Sequence, residues 1–200
     1  MSTTGDVWAI IAERYEEAYG PKTGSPGWPR AQRLAARVDG RILDLACGPG
    51  FELALFTRGV GIDSSPGMLA VARRRAVNSD LVLGDVRALP FRPAAFAGAF
   101  SSFALIHLTK RELAATLADL CRLLQPGAPV EATFFSGEGE KDTTFSFLDD
   151  HATAHYAFYQ PDELAALFRD AGFVDVAVER ATLHEPKITI DCLCVSANTP

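Results

Sequence analysis

The sequence predicts one α/β domain with a mostly parallel sheet, an antiparallel hairpin at its end and helices on both faces. Short apolar segments, bounded by Gly, Pro or acids, alternate with amphipathic segments between residues 42 and 135. This alternation is typical of repeated strand–helix units. Two further strand-like segments, 174–183 and 187–197, are joined by a short link. Since a parallel crossover needs a dozen or more residues, the last two strands are predicted to pair antiparallel.

Five buried strands are predicted before that hairpin, which brings the sheet to seven strands. They cover residues 42–46, 60–63, 81–84, 97–103 and 129–135. Each is a short run rich in apolar residues, as expected of strands that are covered on both faces.

Helices are predicted between and after these strands. They cover residues 51–59, 65–76, 109–124 and 162–171. Thr109 and Glu112 have the spacing of a capping box, and leucines recur along one face of the helix that follows. Gly172 is a typical helix stop.

Two regions lie outside the repeated units. Residues 1–40 predict cap helices, at 6–19 and 28–38, joined by a loop rich in Gly and Pro. Residues 136–160 are aromatic-rich and loop-like, which predicts an insertion acting as a lid. No repeat or linker interrupts the chain, so residues 1–200 are expected to form a single domain.

Composition and charge exclude several functions. The net charge is −6 over 200 residues, whereas a nucleic-acid-binding protein needs clustered Lys and Arg. The one tight basic run, Arg73–Arg75, falls near a predicted helix end, where cations are favourable. The start has no signal-peptide pattern, and no apolar run approaches the roughly 20 residues of a membrane span. We therefore expect a cytoplasmic protein with no nucleic-acid or membrane partner; the sequence carries no signal of its oligomeric state.

The cysteines and histidines predict no metal site. Cys192 and Cys194 are two residues apart, which places both on one face of a strand, and they are expected to be buried. His151 and His155 have helical spacing but lack the Glu of a zinc-protease motif.

The stretch ILDLACGPGFE, residues 42–52, predicts a nucleotide site. Its Gly48-Pro49-Gly50 turn follows the first strand, at the sheet edge where such folds bind ligands. Asp63 ends the second strand, 19 residues after Asp44, and can accept hydrogen bonds from ribose hydroxyls. Asp85 ends the third strand, where its carboxylate can take an exocyclic amine such as that of adenine.

Two classes of nucleotide compete for this turn. The dinucleotide fingerprint G-x-G-x-x-G requires a third glycine, and Leu53 stands in its place. An antiparallel finish is also foreign to the usual dinucleotide fold. A cofactor with one ribose, one adenine and no phosphate fits better, and S-adenosylmethionine is such a molecule.

In the order and spacing of its motifs, the chain resembles class I S-adenosylmethionine-dependent methyltransferases, in the small-molecule group of methyltransferase types 11 and 25. The motifs span about residues 41–173 and read ILDLACGPG, VGIDSSPGMLAVAR, LVLGDVRALPF, FAGAFSSFALIHL, LADLCRLLQPGAPV and FYQPDELAALFRDAGF. The resemblance implies a Rossmann-like fold, the cofactor S-adenosyl-L-methionine and the product S-adenosyl-L-homocysteine.

The resemblance also implies a set of cofactor-binding residues. They are Asp44, Ala46, Cys47, Gly48, Gly50, Asp63, Ser64, Met68, Asp85, Val86 and Ser101. The turn would hold the methionine part, with Asp44 near its amino group. Asp63 would bind the ribose, and Ser101 would line the methyl-transfer site. The adenine would be bound by Ser64, Met68, Asp85 and Val86. Ala46 departs from the family, which often has glycine there.

The acceptor is expected to be a small molecule, enclosed by aromatic residues of the two outlying regions. These include Tyr15, Tyr19, Trp28, Phe145, Phe147, Tyr156, Phe158 and Tyr159. Where the acceptor needs a base, the candidate catalytic residues are His107 and Tyr156, with Glu138, Glu140, His155 and Tyr159 on neighbouring loops. The predicted function is methyl transfer to a small molecule. The alternative is a non-catalytic partner or scaffold protein of the same fold.

Overall fold

A computed structural model describes Trp8, Ile11–Ala12, Tyr15 and residues 24–144, 153–185 and 188–200. Its strands are β1 (Ile42–Leu45), β2 (Gly59–Asp63), β3 (Asp80–Leu83), β4 (Gly98–Ser102), β5 (Pro129–Ser136), β6 (Glu140–Thr144), β7 (Thr153–Tyr159), β8 (Val174–Glu185) and β9 (Ile188–Asn198). Its α-helices are α1 (Gly27–Arg37), α2 (Pro66–Arg75), α3 (Lys110–Leu123) and α4 (Pro161–Asp170).

The sheet is parallel through its first five strands and antiparallel at its end. The strands β3, β2, β1, β4 and β5 lie side by side in that order, with parallel pairing throughout. β9 then pairs antiparallel with β5, from Pro129 opposite Asn198 to Phe135 opposite Cys192, and β8 pairs antiparallel with β9. The predicted fold class is confirmed.

Helices cover both faces of this sheet, as predicted. Leu113 and Leu117 of α3 and Phe168 of α4 pack into the larger core cluster with inward-facing strand residues. Leu34 of α1 and Leu69 of α2 pack into a second cluster on the other face. Such two-sided burial explains why the parallel strands are apolar on both faces.

Local signals account for where the helices begin and end. The capping box of α3 is formed: the Thr109 side chain accepts from Glu112 N, and the Glu112 carboxylate accepts from Thr109 N at 2.9 Å. Ser65 caps α2 by accepting from Met68 N at 3.2 Å. Gly172 follows α4 with a φ of +100°, a left-handed conformation suited to glycine.

The helix predicted over residues 51–59 is wrong. Only Leu53–Leu55 are helical, as one 3-10 turn, and the bonds from Leu55 N to Glu52 O and from Phe56 N to Leu53 O close it. β2 begins at Gly59, so too few residues remain for a longer helix, while Phe51, Leu53 and Phe56 must all be buried. A tight turn buries all three side chains while keeping this segment packed against the sheet.

Residues 136–160 contain a β-hairpin, where the sequence predicts a loop-like insertion. β6 and β7 pair antiparallel from Glu140 opposite Ala157 to Thr144 opposite Thr153. β7 also adds to β5 at two positions, Phe135 with Phe158 and Ser136 with Tyr159. The described residues therefore form nine strands, seven as predicted and two from this insertion.

The structure describes only part of the predicted N-terminal helix and of the predicted insertion. Trp8, Ile11, Ala12 and Tyr15 are helical, in agreement with a helix over 6–19. Tyr19, Phe145, Phe147 and His151 lie outside the described residues. The single-domain organisation and the lid stay predictions. None of the helices in the described part of the chain is long and apolar enough to cross a membrane.

Candidate active site

The glycine turn after β1 is tied to the acid at the end of β2. Gly48 N donates to Asp63 Oδ2 at 2.8 Å, and Ser65 N donates to Asp63 Oδ1 at 2.8 Å. Cys47 N also donates to Ile62 O at 3.1 Å. The two sequence-predicted elements therefore meet at one point on the carboxyl edge of the sheet, with Asp63 as the link.

The turn uses left-handed backbone conformations. Ala46, Gly48 and Gly50 have φ values of +50°, +52° and +76°. A Cβ on Gly50 would stand 3.1 Å from the Cβ of Ala72, so the turn packs closely on α2. Ala46 adopts a conformation that costs a residue with a Cβ roughly 1 kcal/mol, which explains why glycine is common there.

The turn also lies beside two buried acids. Asp44 and Asp63 are both buried, at 3% and 7% exposure. Burial, then the charges of Glu52 and Asp63, hold the pKa of Asp44 well above its usual range, and burial raises that of Asp63. Within the described residues no hydrogen-bond donor meets the Asp44 carboxylate. A bound cation would stabilise this cluster, whereas a phosphate would be repelled.

Arg75, part of the basic run predicted near a helix end, contacts the glycine turn. Its Nη1 donates to Pro49 O at 2.7 Å, and its guanidinium lies over the Phe51 ring, 4.2 Å from the centroid. Helix-end arginines are common, so spacing alone could not distinguish this contact from a solvated cation.

The residues predicted to bind adenine lie at the start of α2 and in the loop after β3. Met68 is buried and packs with Ile11 and Ala12 of the N-terminal segment, whereas Ser64 is exposed. Val86 is half-buried against the larger core cluster. The N-terminal segment thus covers Met68, a contact that no local pattern indicates.

Asp85 already has a partner in this structure. Arg87 Nε lies 3.0 Å from both carboxylate oxygens of Asp85, and Arg87 Nη1 donates to Glu112 at 3.1 Å. Hydrogen bonding from Arg87 lowers the pKa of Asp85. An adenine amine bound there would have to share this carboxylate with Arg87.

Ser101 lies at the tip of β4 but is turned toward the sheet. Its side chain is buried, and its hydroxyl donates to Leu45 O at 3.1 Å. This bond ties β4 to β1 beside the glycine turn. Ser101 therefore stabilises the floor of the site.

Comparison with known proteins identifies the family. A family model for a methyltransferase domain matches residues 42–127. The demethylmenaquinone methyltransferase of Symbiobacterium thermophilum is 30% identical over 181 residues, covering 70% of this chain and 70% of that protein. The chain belongs to the S-adenosylmethionine-dependent methyltransferases.

Two further proteins are similar to this chain. An uncharacterised 37.1 kDa protein in transposon TN4556 of Streptomyces fradiae is 33% identical over 161 residues, covering 70% of this chain and 45% of that protein. The 1,6-didemethyltoxoflavin-N1-methyltransferase of Burkholderia thailandensis, solved with S-adenosylhomocysteine and 1,6-didemethyltoxoflavin, superposes with a TM-score of 0.69 at 21% identity. That match covers 100% of this chain and 91% of the other, and at this identity it shows the shared fold.

The chain spans only part of several curated relatives. The match covers 45% of the Streptomyces protein and 41% of a demethylmenaquinone methyltransferase from Renibacterium salmoninarum.

On the far side of β4 from β1, this methyltransferase brings together His107 and Tyr156, the two residues given above as candidate catalytic residues. Their ring centroids are 4.8 Å apart, and Trp8 lies 5.1 Å from His107. His107 Nδ1 is 2.8 Å from His155 O. Because a carbonyl only accepts, Nδ1 carries the proton and Nε2 keeps a lone pair. Burial lowers the pKa of His107 to about 4, so the ring is neutral at pH 7.

The other candidate bases are engaged elsewhere. Glu140 accepts from Lys110 N, and His155 Nδ1 lies 3.0 Å from Asp142 Oδ1. Tyr159 is fully buried in the core against Phe134, and burial raises the pKa of its hydroxyl. Glu138 lies on the exposed β5–β6 turn. His107 and Tyr156 therefore remain the candidates that face the aromatic residues of the site.

Phe103 contacts Thr133 on the neighbouring strand, a pair that no spacing in the sequence indicates. Phe103 follows β4 in a left-handed conformation, φ +50°. Its N–H donates to Thr133 O at 3.2 Å and to Thr133 Oγ1 at 3.0 Å. A bulky residue with positive φ is uncommon and marks a position held by its surroundings. No sequence signal identifies it, because the constraint comes from the neighbouring strand.

Proposed function

We propose that this protein transfers a methyl group from S-adenosylmethionine to a small-molecule acceptor. The observation that carries the proposal is the buried Asp44 carboxylate beside Asp63, at the turn that follows β1. S-adenosylmethionine brings a sulfonium and an ammonium group, and both would relieve the repulsion between these carboxylates. A dinucleotide would bring a pyrophosphate to the same place and add to the repulsion.

The proposed cofactor contacts follow the geometry of the turn. Asp63 has one oxygen engaged by Gly48 N and the other by Ser65 N. Each carboxylate oxygen can accept a second bond, so Asp63 is able to bind ribose hydroxyls while it holds the turn. Asp44 would take the amino group, and Met68 would pack against the adenine.

The acceptor is proposed to be a small molecule for two reasons. Aromatic side chains enclose the site, and similar proteins are named for small molecules. Trp8, Phe103, Phe135 and Tyr156 surround the region next to β4. One relative is named for demethylmenaquinone, and one structural neighbour is solved with 1,6-didemethyltoxoflavin. Both names denote small molecules.

The residues of this chain have a limited chemical task. The sulfonium supplies an already activated methyl group, so the protein must align the acceptor and exclude water. His107 is neutral with a lone pair on Nε2, so it can accept a hydrogen bond from an O–H or N–H group of the substrate that receives the methyl group. With a pKa of about 4, it orients such a group more effectively than it removes the proton.

Calorimetry with S-adenosylmethionine, S-adenosylhomocysteine and NAD tests this proposal. We expect binding of the first two and none of NAD. A metabolite-library methylation assay on the same sample then separates an enzyme from a non-catalytic protein of the same fold. Absence of binding to both sulfur compounds, in a folded sample, would refute the proposed function.

A further inference from the structure

A row of aromatic rings crosses three neighbouring strands on the acceptor side. Phe103 directly follows β4, Phe135 lies on β5, and Tyr156 and Phe158 lie on β7, and these strands are adjacent in the order β4-β5-β7. All four rings are half-buried. We call Phe103, Phe135, Tyr156 and Phe158 the ring row.

Rings in the row are nearly parallel. Phe103 and Phe135 are 5.3 Å apart at 31°, Phe135 and Tyr156 are 6.0 Å apart at 26°, and Phe135 and Phe158 are 6.1 Å apart at 27°. Pairs in the core differ: Phe91 with Phe96 and Phe134 with Phe168 meet at 89° and 88°. Offset stacking is a favourable geometry for aromatic pairs, so a half-buried ring that already stacks on one neighbour can also stack a flat ligand on its exposed part.

One end of the ring row, at Phe103, lies near the proposed cofactor site. β4 pairs with β1, whose carboxyl end carries Asp44 and the glycine turn. Phe103 is therefore the member of the row that is nearest to that turn. The Phe103 N–H donates to both Thr133 O and Thr133 Oγ1, and this shared bond holds the backbone from which the ring projects in the left-handed conformation.

We infer that the acceptor is a planar aromatic or heteroaromatic molecule that stacks on Phe103 and extends the ring row toward the cofactor. This inference rests on the proposed methyl-transfer function and specifies its substrate class. A flat ring on Phe103 lies between the ring row and the cofactor turn, where its substituents can reach a donor methyl. The neutral His107 selects acceptors that carry an O–H or N–H over anionic ones.

The test compares two probes that share a hydroxyl and differ in planarity, 2-naphthol and decahydro-2-naphthol. Both are titrated into the protein saturated with S-adenosylhomocysteine. The saturated alcohol is the more hydrophobic probe, so a merely apolar pocket would prefer it. Stacking predicts that 2-naphthol binds about tenfold more tightly.

Variants assign the preference to the ring row. Phe103→Leu should reduce the 2-naphthol preference to near parity, and Phe103→Tyr should retain it. Phe91→Leu, at a half-buried phenylalanine in an edge-to-face pair, is the matched control and should keep the preference. If Phe103→Leu does not fold, Phe135→Leu replaces it.

Each outcome has one meaning. Equal affinities for the two probes in the wild-type protein, or an unchanged preference in a folded Phe103→Leu variant, would overturn the substrate class. Failure to bind S-adenosylhomocysteine would overturn the proposed function itself. Binding of S-adenosylhomocysteine with no planar preference leaves methyl transfer standing and removes only the stacking inference.

Discussion

Gly48 N donates to Asp63 Oδ2 at 2.8 Å, so the acid at the end of β2 holds the turn that follows β1. The same carboxylate caps the start of the next segment through Ser65 N. One side chain thus shapes the turn and offers its remaining lone pairs to a ligand. Several consequences of this arrangement and its surroundings can be measured.

Replacing Asp63 by Ala should weaken binding of S-adenosylhomocysteine by about 1.5–3 kcal/mol, since hydrogen bonds to a charged group have that magnitude. Asp63→Asn keeps one acceptor and should lose less. Calorimetry measures both. Asp80→Ala, at an exposed acid on β3, is the control and should bind normally. Wild-type affinity in a folded Asp63→Ala variant would remove the ribose assignment.

Asp44→Asn should stabilise the ligand-free protein and weaken cofactor binding. The pKa of Asp44 is raised from 3.8, so its ionised form opposes folding. Its contribution to stability is largest below pH 3.8 and is lost as the pH rises through the folded-state pKa. At pH 7.5 the uncharged Asn should increase the free energy of unfolding, because it removes a buried charge that has no hydrogen-bond donor in the described residues. Affinity for S-adenosylmethionine should fall about tenfold.

Urea unfolding and calorimetry read the two effects of Asp44→Asn separately. Opposite signs are the expected result. A variant that is less stable without ligand, or that binds S-adenosylmethionine as tightly as wild type, contradicts the assignment of Asp44 as an uncompensated charge.

Ala46→Gly should increase stability by about 0.5–1 kcal/mol, because Ala46 has a φ of +50° and glycine adopts that conformation without a Cβ clash. Urea unfolding measures the change. Ala36→Gly, at an exposed position in α1, should have the opposite sign and a similar size. Destabilisation by Ala46→Gly would show that the left-handed conformation is not a strain.

Arg30→Met should destabilise the protein by about 3–5 kcal/mol, because it leaves a buried carboxylate without its partner. Arg30 Nη1 donates to Glu131 at 2.8 Å, and the two side chains are 7% and 6% exposed. Adding Glu131→Gln should recover much of the loss. Arg41→Met breaks the exposed pair with Asp80 and should change stability by about 0.5 kcal/mol or less. Similar losses from both arginines would contradict this account.

The free energy of unfolding should fall as the pH is lowered, because His107 is neutral in the folded protein. Its pKa is lowered from 6.5 to about 4, so between these values the unfolded chain binds a proton that the folded chain does not. Stability from this group is complete above pH 6.5 and is lost as the pH falls toward 4, by about 2–3 kcal/mol.

Urea unfolding at pH 7, 6 and 5 tests the His107 effect. The difference between wild type and His107→Gln should narrow as the pH falls, because only wild type carries this titration. His184→Gln, at an exposed histidine, should keep the wild-type profile. Parallel profiles for wild type and His107→Gln would rule out a buried neutral His107.

Local patterns were sufficient for much of the fold. The capping box of Thr109 and Glu112 lies within three residues, and the short link before β9 forces an antiparallel pair. The helix predicted over 51–59 failed because the position of β2 and the burial of Phe51, Leu53 and Phe56 override helical propensity. The β6–β7 hairpin was missed in part because β7 also pairs with β5, and those pairs join residues 23 positions apart, which no local pattern indicates.

The α/β class, the order of its elements and the acids at the strand ends follow from the sequence, because each depends on residues close together in the chain. Folding of the whole chain is needed to bring Asp63 to the turn, Arg75 to Pro49 and Phe103 to the ring of Phe135. Those contacts join segments between 15 and more than 30 residues apart. Only the packing of strands and helices against one another brings such distant residues within bonding distance.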